Sequence, residues 1–372
     1  MKLTIERAAL LRALGHVQSV VERRNTIPIL SNVMLDARDG ALSLTATDMD
    51  IAIVETVGAD VAAGGATTAP AHTLYDIVRK LPDGAQIGME TDAEAGQLHL
   101  VAGRARFRLG TLDTAEFPAM SDGDLPHRFV VSAADFRLLV DRTRFAISTE
   151  ETRYYLNGIY LHAVAGNGAE MLRAVATDGH RLARVEMPLP EGAAGMPGVI
   201  IPRKTVTELR KLIDETGGDI DVALSDAKIR FAFDDAVLTS KLIDGTFPDY
   251  ERVIPVGNDK YMQVDRKSFA DAVDLVATIA TEKSRAIKLS VENGNLALSA
   301  NSPDAGSAEE EIDASYDGEP IKIGCNSRYL LDITQQIEGD KAQFVMADSG
   351  SPTIVRDAAD ESALYVLMPM RV

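Results

Sequence analysis

Met1-Lys2-Leu3-Thr4-Ile5-Glu6-Arg7 alternates apolar and polar residues and then changes period, with Leu10, Leu11 and Leu14 following at spacings that include three and four. Period two marks a strand with one buried face, and the longer period marks an amphipathic helix. The same opening returns at His127-Arg128-Phe129-Val130-Val131-Ser132, followed by Phe136, Leu139 and Val140. It returns again at Lys260-Tyr261-Met262-Gln263-Val264-Asp265, followed by Phe269, Val273 and Val276. A repeat this long is a duplicated domain, since solenoid units run to roughly 20 to 50 residues.

Two further blocks recur in the same order. One is a strand ending in a small polar turn: Ala41-Leu42-Ser43-Leu44-Thr45-Ala46-Thr47-Asp48, Met171-Leu172-Arg173-Ala174-Val175-Ala176-Thr177-Asp178, and Leu296-Ala297-Leu298-Ser299-Ala300-Asn301. The other is a short extended piece running into a helix: Thr68-Ala69-Pro70 before Leu74 to Leu81, Val199-Ile200-Ile201-Pro202 before Val206 to Leu212, and Ile321-Lys322-Ile323-Gly324 before Tyr329 to Ile333. Each copy therefore holds two amphipathic helices among many short strands, an α+β layering of helices on antiparallel sheet. Turn pairs such as Asp39-Gly40 and Asn293-Gly294 separate the strands at hairpin spacing. The polar stretches around Asp122-Gly123-Asp124 and Val256-Gly257-Asn258 divide the chain into domains at 1–126, 127–258 and 259–372, and their shortness implies rigid placement of each copy on the next.

The 372 residues allow two to four domains on length alone, and the repeat selects three. A hydrophobic content of 46% with 25% charge is that of a globular protein, and no apolar run reaches the roughly 18 residues of a membrane span. Glu6 and Arg7 interrupt any signal core, and the lone Cys325 excludes an intramolecular disulfide, so the expected compartment is the cytoplasm. Cys325 reads as a small core residue rather than a reactive thiol. The net charge of −18 repels polyanions from most of the surface without forbidding a local basic lining.

The run Ala176-Thr177-Asp178-Gly179-His180-Arg181 brings an acid and a histidine close together, but no nucleophile stands at a diagnostic spacing. Six scattered histidines and one cysteine argue against zinc, and neither a Walker-type loop nor a dinucleotide fingerprint occurs. The chain reads as non-enzymatic, with no catalytic residues, metal or cofactor. Basic residues gather on the predicted helices and near their ends: Arg7, Arg12, Arg24, Arg137, Arg142 and Lys267 at the openings, and Arg79, Lys80, Arg203, Lys204, Arg210 and Lys211 at the second helices. Singly they read as solvated faces; as a set they read as a phosphate-facing surface.

Tyr154-Tyr155-Leu156-Asn157-Gly158, the run Ala176 to Ala183, Phe247-Pro248-Asp249-Tyr250 and Tyr365-Val366-Leu367-Met368-Pro369-Met370-Arg371-Val372 resemble the bacterial replicative sliding clamp family, the beta subunits of DNA polymerase III. Ile27-Pro28-Ile29-Leu30 and Thr239-Ser240-Lys241-Leu242 belong to the same pattern, and the likeness covers the whole chain in order. It implies three repeated DNA-clamp domains, each with two inner helices on outer antiparallel sheets, in a homodimeric ring around double-stranded DNA. The implied function is processivity without catalysis and without sequence preference. The partners are the DNA polymerase III catalytic subunit, the clamp loader, and other polymerases and repair factors carrying short linear peptides; no membrane is involved. The alternative is a multidomain peptide-binding scaffold that does not encircle DNA.

The resemblance also assigns sites. DNA contacts fall on Arg24, Arg79, Tyr154, Tyr155, Arg203 and Lys204, with His72 and Glu150 standing where a cation and an amide are usual. The partner-peptide groove falls on Leu156, Thr177, Gly179, His180, Arg181, Leu182, Pro248, Arg252, Val253, Asn326 and Tyr329, completed by Val366, Leu367, Met368, Pro369, Met370 and Arg371. Gly350 and Pro352 replace a valine and a serine at its rim. Met suits such a groove because it is flexible and polarizable. The dimer contact sets Arg104, Arg106, Phe107 and Leu109 against Ile279, Glu309, Glu310 and Glu311, basic strand against acidic strand. Without the resemblance, the glutamate run reads equally well as a charged guard on a sheet edge.

Overall fold

The computed structural model of the protein describes residues 1–120, 123–165, 168–280 and 285–371. Asp122 of the first polar stretch and the terminal Val372 lie outside the described residues. All three openings fold as read, each a strand running directly into a helix: Lys2–Glu6 into α1 (Arg7–Val17), His127–Ser132 into α3 (Ala133–Arg144), and Lys260–Asp265 into α5 (Arg266–Ala277). The second set does the same: Gly65–Pro70 into α2 (Ala71–Lys80), Val199–Pro202 into α4 (Arg203–Glu215), and Ile321–Asn326 into α6 (Ser327–Thr334).

The last strand residue of each opening supplies the helix cap. The Glu6 carboxylate accepts from the amides of Ala8 (2.8 Å) and Ala9 (3.1 Å), the Ser132 hydroxyl from Asp135 (3.1 Å), and the Asp265 carboxylate from Ser268 (2.8 Å). Each satisfies orphan amides at a helix start. The helices bury the apolar face that the period predicts: Leu10, Ala13, Leu14 and Val17; Phe136, Leu139 and Val140; Phe269, Ala272, Val273 and Val276. Phe136 meets Phe231 at 5.6 Å between ring centres, and Phe269 meets Phe344 at 5.1 Å, anchoring helix to sheet.

The chain divides into two compact units, 1–137 with 190–197 and 204–242, and 138–189 with 198–203 and 243–372. In the first, a five-stranded sheet runs in the order Asp60–Ala63, Lys2–Glu6, Gln86–Asp92, Gln97–Ala102, Ala105–Gly110. Its eight-stranded sheet runs His127–Ser132, Asp219–Leu224, Lys228–Ala232, Ala236–Lys241, Ile51–Gly58, Ala41–Thr47, Asn32–Arg38, Gly65–Pro70. The second unit has a twelve-stranded sheet: Val199–Pro202, Gly158–Ala165, Glu170–Thr177, Arg181–Pro188, Ala363–Leu367, Thr353–Asp357, Lys341–Met346, Lys260–Asp265, Gly306–Tyr316, Asn295–Ser302, Ala286–Glu292, Ile321–Asn326.

Among the described residues all strand pairings are antiparallel, and two cross from copy to copy. Ile53 pairs with Leu238 where first-copy sequence meets second, and Ala183 pairs with Tyr365 where second meets third. Copies are thus joined by backbone hydrogen bonds in shared sheets, a firmer connection than short linkers alone supply.

Candidate functional site

The run at 177–181 is a hairpin turn between Glu170–Thr177 and Arg181–Pro188. The Thr177 hydroxyl donates to the Arg181 carbonyl (2.7 Å) and accepts from the Gly179 amide (3.1 Å), while one Asp178 oxygen accepts from the amides of His180 (2.9 Å) and Arg181 (3.0 Å). Side chain thus replaces backbone as turn partner. The first copy repeats the device: the Thr47 hydroxyl donates to the Ile51 carbonyl (2.9 Å), and Asp48 accepts from Asp50 (2.9 Å) and Ile51 (2.8 Å). The closeness of Asp178 to His180 is therefore turn architecture, with both carboxylate oxygens occupied.

Arg181, which the turn orients, is a buried strut. Its guanidinium donates to Asp178 (3.2 Å), Asp332 (2.5 Å) and the Phe145 carbonyl (2.6 Å), and lies over the rings of Tyr329 (4.4 Å) and Phe145 (5.0 Å). His180 stacks on the other neighbour of that cation, Tyr329, at 6.3 Å. The Asn326 side chain caps α6, accepting from Arg328 and Tyr329, and so fixes where the Tyr329 ring stands.

Beside this strut lies a cavity of about 260 Å³ lined by Arg153, Tyr155, Leu156, Thr177, Gly179, Arg181, Leu182, Pro248, Asp249, Tyr250, Val253, Val366 and Met368. Its floor is an apolar cluster of Leu156, Val175, Leu182, Ile200, Phe247, Tyr250 and Val366. Exposed Val253 and Met368 stand at its mouth. The structure thus gathers Leu156, Thr177, Gly179, Arg181, Leu182, Pro248, Val253, Val366 and Met368, drawn from distant sequence, around one hollow.

The other predicted groove residues border it differently. Leu367 is buried in the last strand, opposite Arg181 and Thr353. The Met368 amide donates to the His180 carbonyl (2.9 Å) and the Met370 amide to the Gly324 carbonyl (2.8 Å), seating Pro369 and Met370 between the turn and the strand Ile321–Asn326, with Arg371 exposed beyond. Exposed Arg252 pairs with Asp249 at 2.7 Å. Gly350 and Pro352 do not line the cavity. Sequence reasoning missed Arg153, Asp249 and Tyr250, and it assigned Tyr155 to DNA alone. The last two of the missed residues sit inside the Phe247-Pro248-Asp249-Tyr250 motif, whose aromatic was the available signal.

Most of the predicted basic set is engaged within the fold. In the first unit, Arg7 pairs with Asp83 (2.5 Å), Arg12 with Asp235 (3.2 Å), Arg137 with Asp214 (3.5 Å) and Lys211 with Glu208 (2.8 Å). In the second, Arg142 pairs with Asp360 (2.8 Å) and Glu338 (3.2 Å). Arg142 and Arg210 are buried, which corrects their reading as phosphate-facing residues: both lie on the core side of their helices. Lys267 pairs with Asp271 along α5.

Of the assigned DNA contacts in the first unit, Arg24 and Arg79 are exposed, Arg79 beside Asp76 at 3.0 Å. The Lys204 ammonium is held by Glu22 (2.5 Å), Asp48 (2.6 Å) and the Val20 carbonyl (3.0 Å). His72 spends both ring nitrogens on Gln18 and the Val21 carbonyl, at 2.9 Å each. In the second unit Arg203 and Tyr154 are exposed, Tyr154 packs edge-on against Tyr155 at 5.7 Å, and Glu150 pairs with Arg153 at 2.8 Å.

Ala105–Gly110 is the outermost strand of the five-stranded sheet, with Arg104 and Arg106 exposed, Phe107 half-buried and Leu109 buried. In the second unit, Glu309, Glu310 and Glu311 pair with Ser299, Leu298 and Ala297, whereas the flanking strand Lys260–Asp265 reaches only residues 314–316. Among the described residues, the 306–313 stretch therefore has a β-partner on one side. Ile279 is half-buried just past α5. Cys325 lies within the core, where burial pushes its thiol up to about 12, so it stays protonated and inert at neutral pH. No group of ligating side chains able to hold a metal occurs among the described residues.

Three family models cover the chain in this same order: the N-terminal domain of the DNA polymerase III beta subunit over 1–121, its central domain over 130–249, and its C-terminal domain over 251–371. The chain belongs to the DNA polymerase III beta subunit family, the bacterial sliding clamps. It is 56% identical to the beta sliding clamp of Caulobacter vibrioides and 38% identical to that of Escherichia coli K12, covering 100% of both chains in each case. A crystal structure of the sliding clamp from Bartonella birtlesii bound to griselimycin superposes with a TM-score of 0.97 at 51% identity, again over 100% of both chains. A beta subunit is a non-catalytic processivity factor: as a homodimeric ring around DNA, it tethers the polymerase and other replication and repair proteins through their peptide motifs. With it, neither catalysis at Asp178 and His180 nor the non-encircling scaffold stands.

Proposed function

We propose that partners of this beta subunit dock in the cavity of the second unit, that its copies divide at 1–126, 127–258 and 259–372, and that it works in the cytoplasm. The observation that carries the docking site is the hollow itself. Apolar walls from Leu156, Leu182 and Val366, a flexible Met368 at the mouth and a backbone turn fixed by Asp178 make a concave, apolar and pre-formed site with few polar groups, which suits an extended peptide with apolar anchors. No helix among the described residues is long and apolar enough to cross a membrane.

DNA contacts are carried in the first unit by Arg24 and Arg79 and in the second by Tyr154, Tyr155 and Arg203. Lys204 joins them only by giving up Glu22 or Asp48. The open stretches at 105–110 and 306–313 support a dimer contact of basic against acidic strand around Phe107 and Ile279, with Leu109 beneath. Docking is tested by removing residues 368–372 and measuring polymerase binding beside the sedimentation of the dimer. Loss of binding with the dimer retained is the predicted result; loss of the dimer assigns the segment to folding instead.

A further inference from the structure

Tyr250 has a second end. Its ring borders the cavity, but its hydroxyl points into a buried polar cluster, 2.8 Å from the Arg173 guanidinium and 3.0 Å from His162 Nε2. Arg173 is buried on Glu170–Thr177, the strand that ends in the groove's turn. It also donates to Glu186 (2.9 Å) and to Glu251 (2.7 Å), the neighbour of Tyr250 in the single helical turn Tyr250–Val253. His162, on Gly158–Ala165, stacks on Tyr160 at 4.5 Å, and Tyr160 stacks on Phe247 at 4.9 Å with planes 7° apart. The groove wall at 248–253 is thus fastened to the sheet at Phe247 by stacking and at Tyr250 and Glu251 by one guanidinium.

Arg173 can only donate, so the Tyr250 oxygen accepts from it, which leaves the hydroxyl's own hydrogen for His162 Nε2. In that arrangement the nitrogen is bare and His162 is neutral, with its proton on Nδ1. Burial, followed by the charge of Arg173, holds His162 below the ordinary imidazole value, consistent with this arrangement.

We propose that Arg173 and His162 are positioning residues of the partner groove, acting through Tyr250 to hold the 248–253 wall where a bound peptide needs it. The inference rests on the groove reading above. Protonating His162 turns the acceptor facing Tyr250 into a donor and adds a second positive charge beside Arg173. Arg184 lies near Arg173 too, with Glu186 and Glu251 opposing the gathered cations. Acidification therefore takes the acceptor away from the Tyr250 hydrogen, sets two cations side by side and loosens the wall.

The test measures affinity of the full-length chain for the purified DNA polymerase III catalytic subunit between about pH 8 and about pH 5, reaching below the ordinary imidazole value because His162 is held beneath it. Tyr250→Phe keeps the ring and removes the hydroxyl; Arg173→Met removes the charge; Val253→Asp blocks the groove mouth. At the alkaline end, Tyr250→Phe and Arg173→Met should bind about tenfold more weakly, the scale of one charged hydrogen bond. The wild-type affinity should fall on acidification, and Tyr250→Phe should flatten that profile, which a general loss of stability would not do. If Arg173→Met fails to fold, Tyr250→Phe decides. Wild-type binding and an unchanged pH profile in Tyr250→Phe, with Val253→Asp inactive, overturn the positioning role and leave the groove standing. Wild-type binding by Val253→Asp as well overturns the groove itself.

Discussion

Gly179 shows how much a single position fixes. Its φ of +88° is left-handed, so the backbone favours glycine, and a Cβ there would lie 2.5 Å from the Arg153 guanidinium and push the end of that side chain aside. Met49 holds the equivalent place in the first copy at a φ of +79° and bears the strain. Gly179→Ala should therefore lose about 1–2 kcal/mol in thermal unfolding and weaken polymerase binding, whereas Met49→Gly should lose less than about 0.5 kcal/mol.

His16 sits between two carboxylates in the first unit, Nδ1 2.6 Å from buried Glu55 and Nε2 3.0 Å from Glu215, with Arg12 and Asp235 close by. Burial opposes its charge, but the hydrogen bonds and charges of Glu55 and Glu215 outweigh it and raise its pKa above 6.5. A raised imidazole contributes its full stability below 6.5 and loses it as pH rises through the folded value. Denaturant midpoints should thus fall on the alkaline side in the wild type, and His16→Gln should remove that part of the fall. Neither histidine's role was legible in the sequence, because each depends on partners far away along the chain.

At the scale of elements, the repeat was almost wholly legible. Period two followed by the helical period located six strand-to-helix junctions, and the capping residues Glu6, Ser132 and Asp265 stand at matching positions within them. Asp265→Ala should cost about 1 kcal/mol in unfolding free energy, with Ser268 losing the acceptor for its amide. What periodicity could not show is strand order. The pairings of Ile53 with Leu238 and of Ala183 with Tyr365 join segments from different copies, and nothing local encodes a partner so distant. The groove divides the same way: the resemblance located its turn, its terminal strand and the Phe247-Pro248-Asp249-Tyr250 motif, while Arg173 and His162, the buried partners of Tyr250, lie far off in the sequence where no local pattern ties them to it.

At the scale of the whole molecule, the acidic balance and the ion pairs point one way. With a net charge of −18 and most helix cations already paired with carboxylates, the chain has few charges to offer phosphate, so its direct affinity for DNA should be low and its salt dependence shallow. A processivity factor built this way holds DNA by enclosure rather than attraction, and low affinity then favours sliding. The most direct test loads the clamp onto nicked circular DNA and follows its retention before and after linearising the circle, at moderate salt. Persistence on the circle with rapid loss from the linear form is the predicted result; equal retention on both would contradict enclosure.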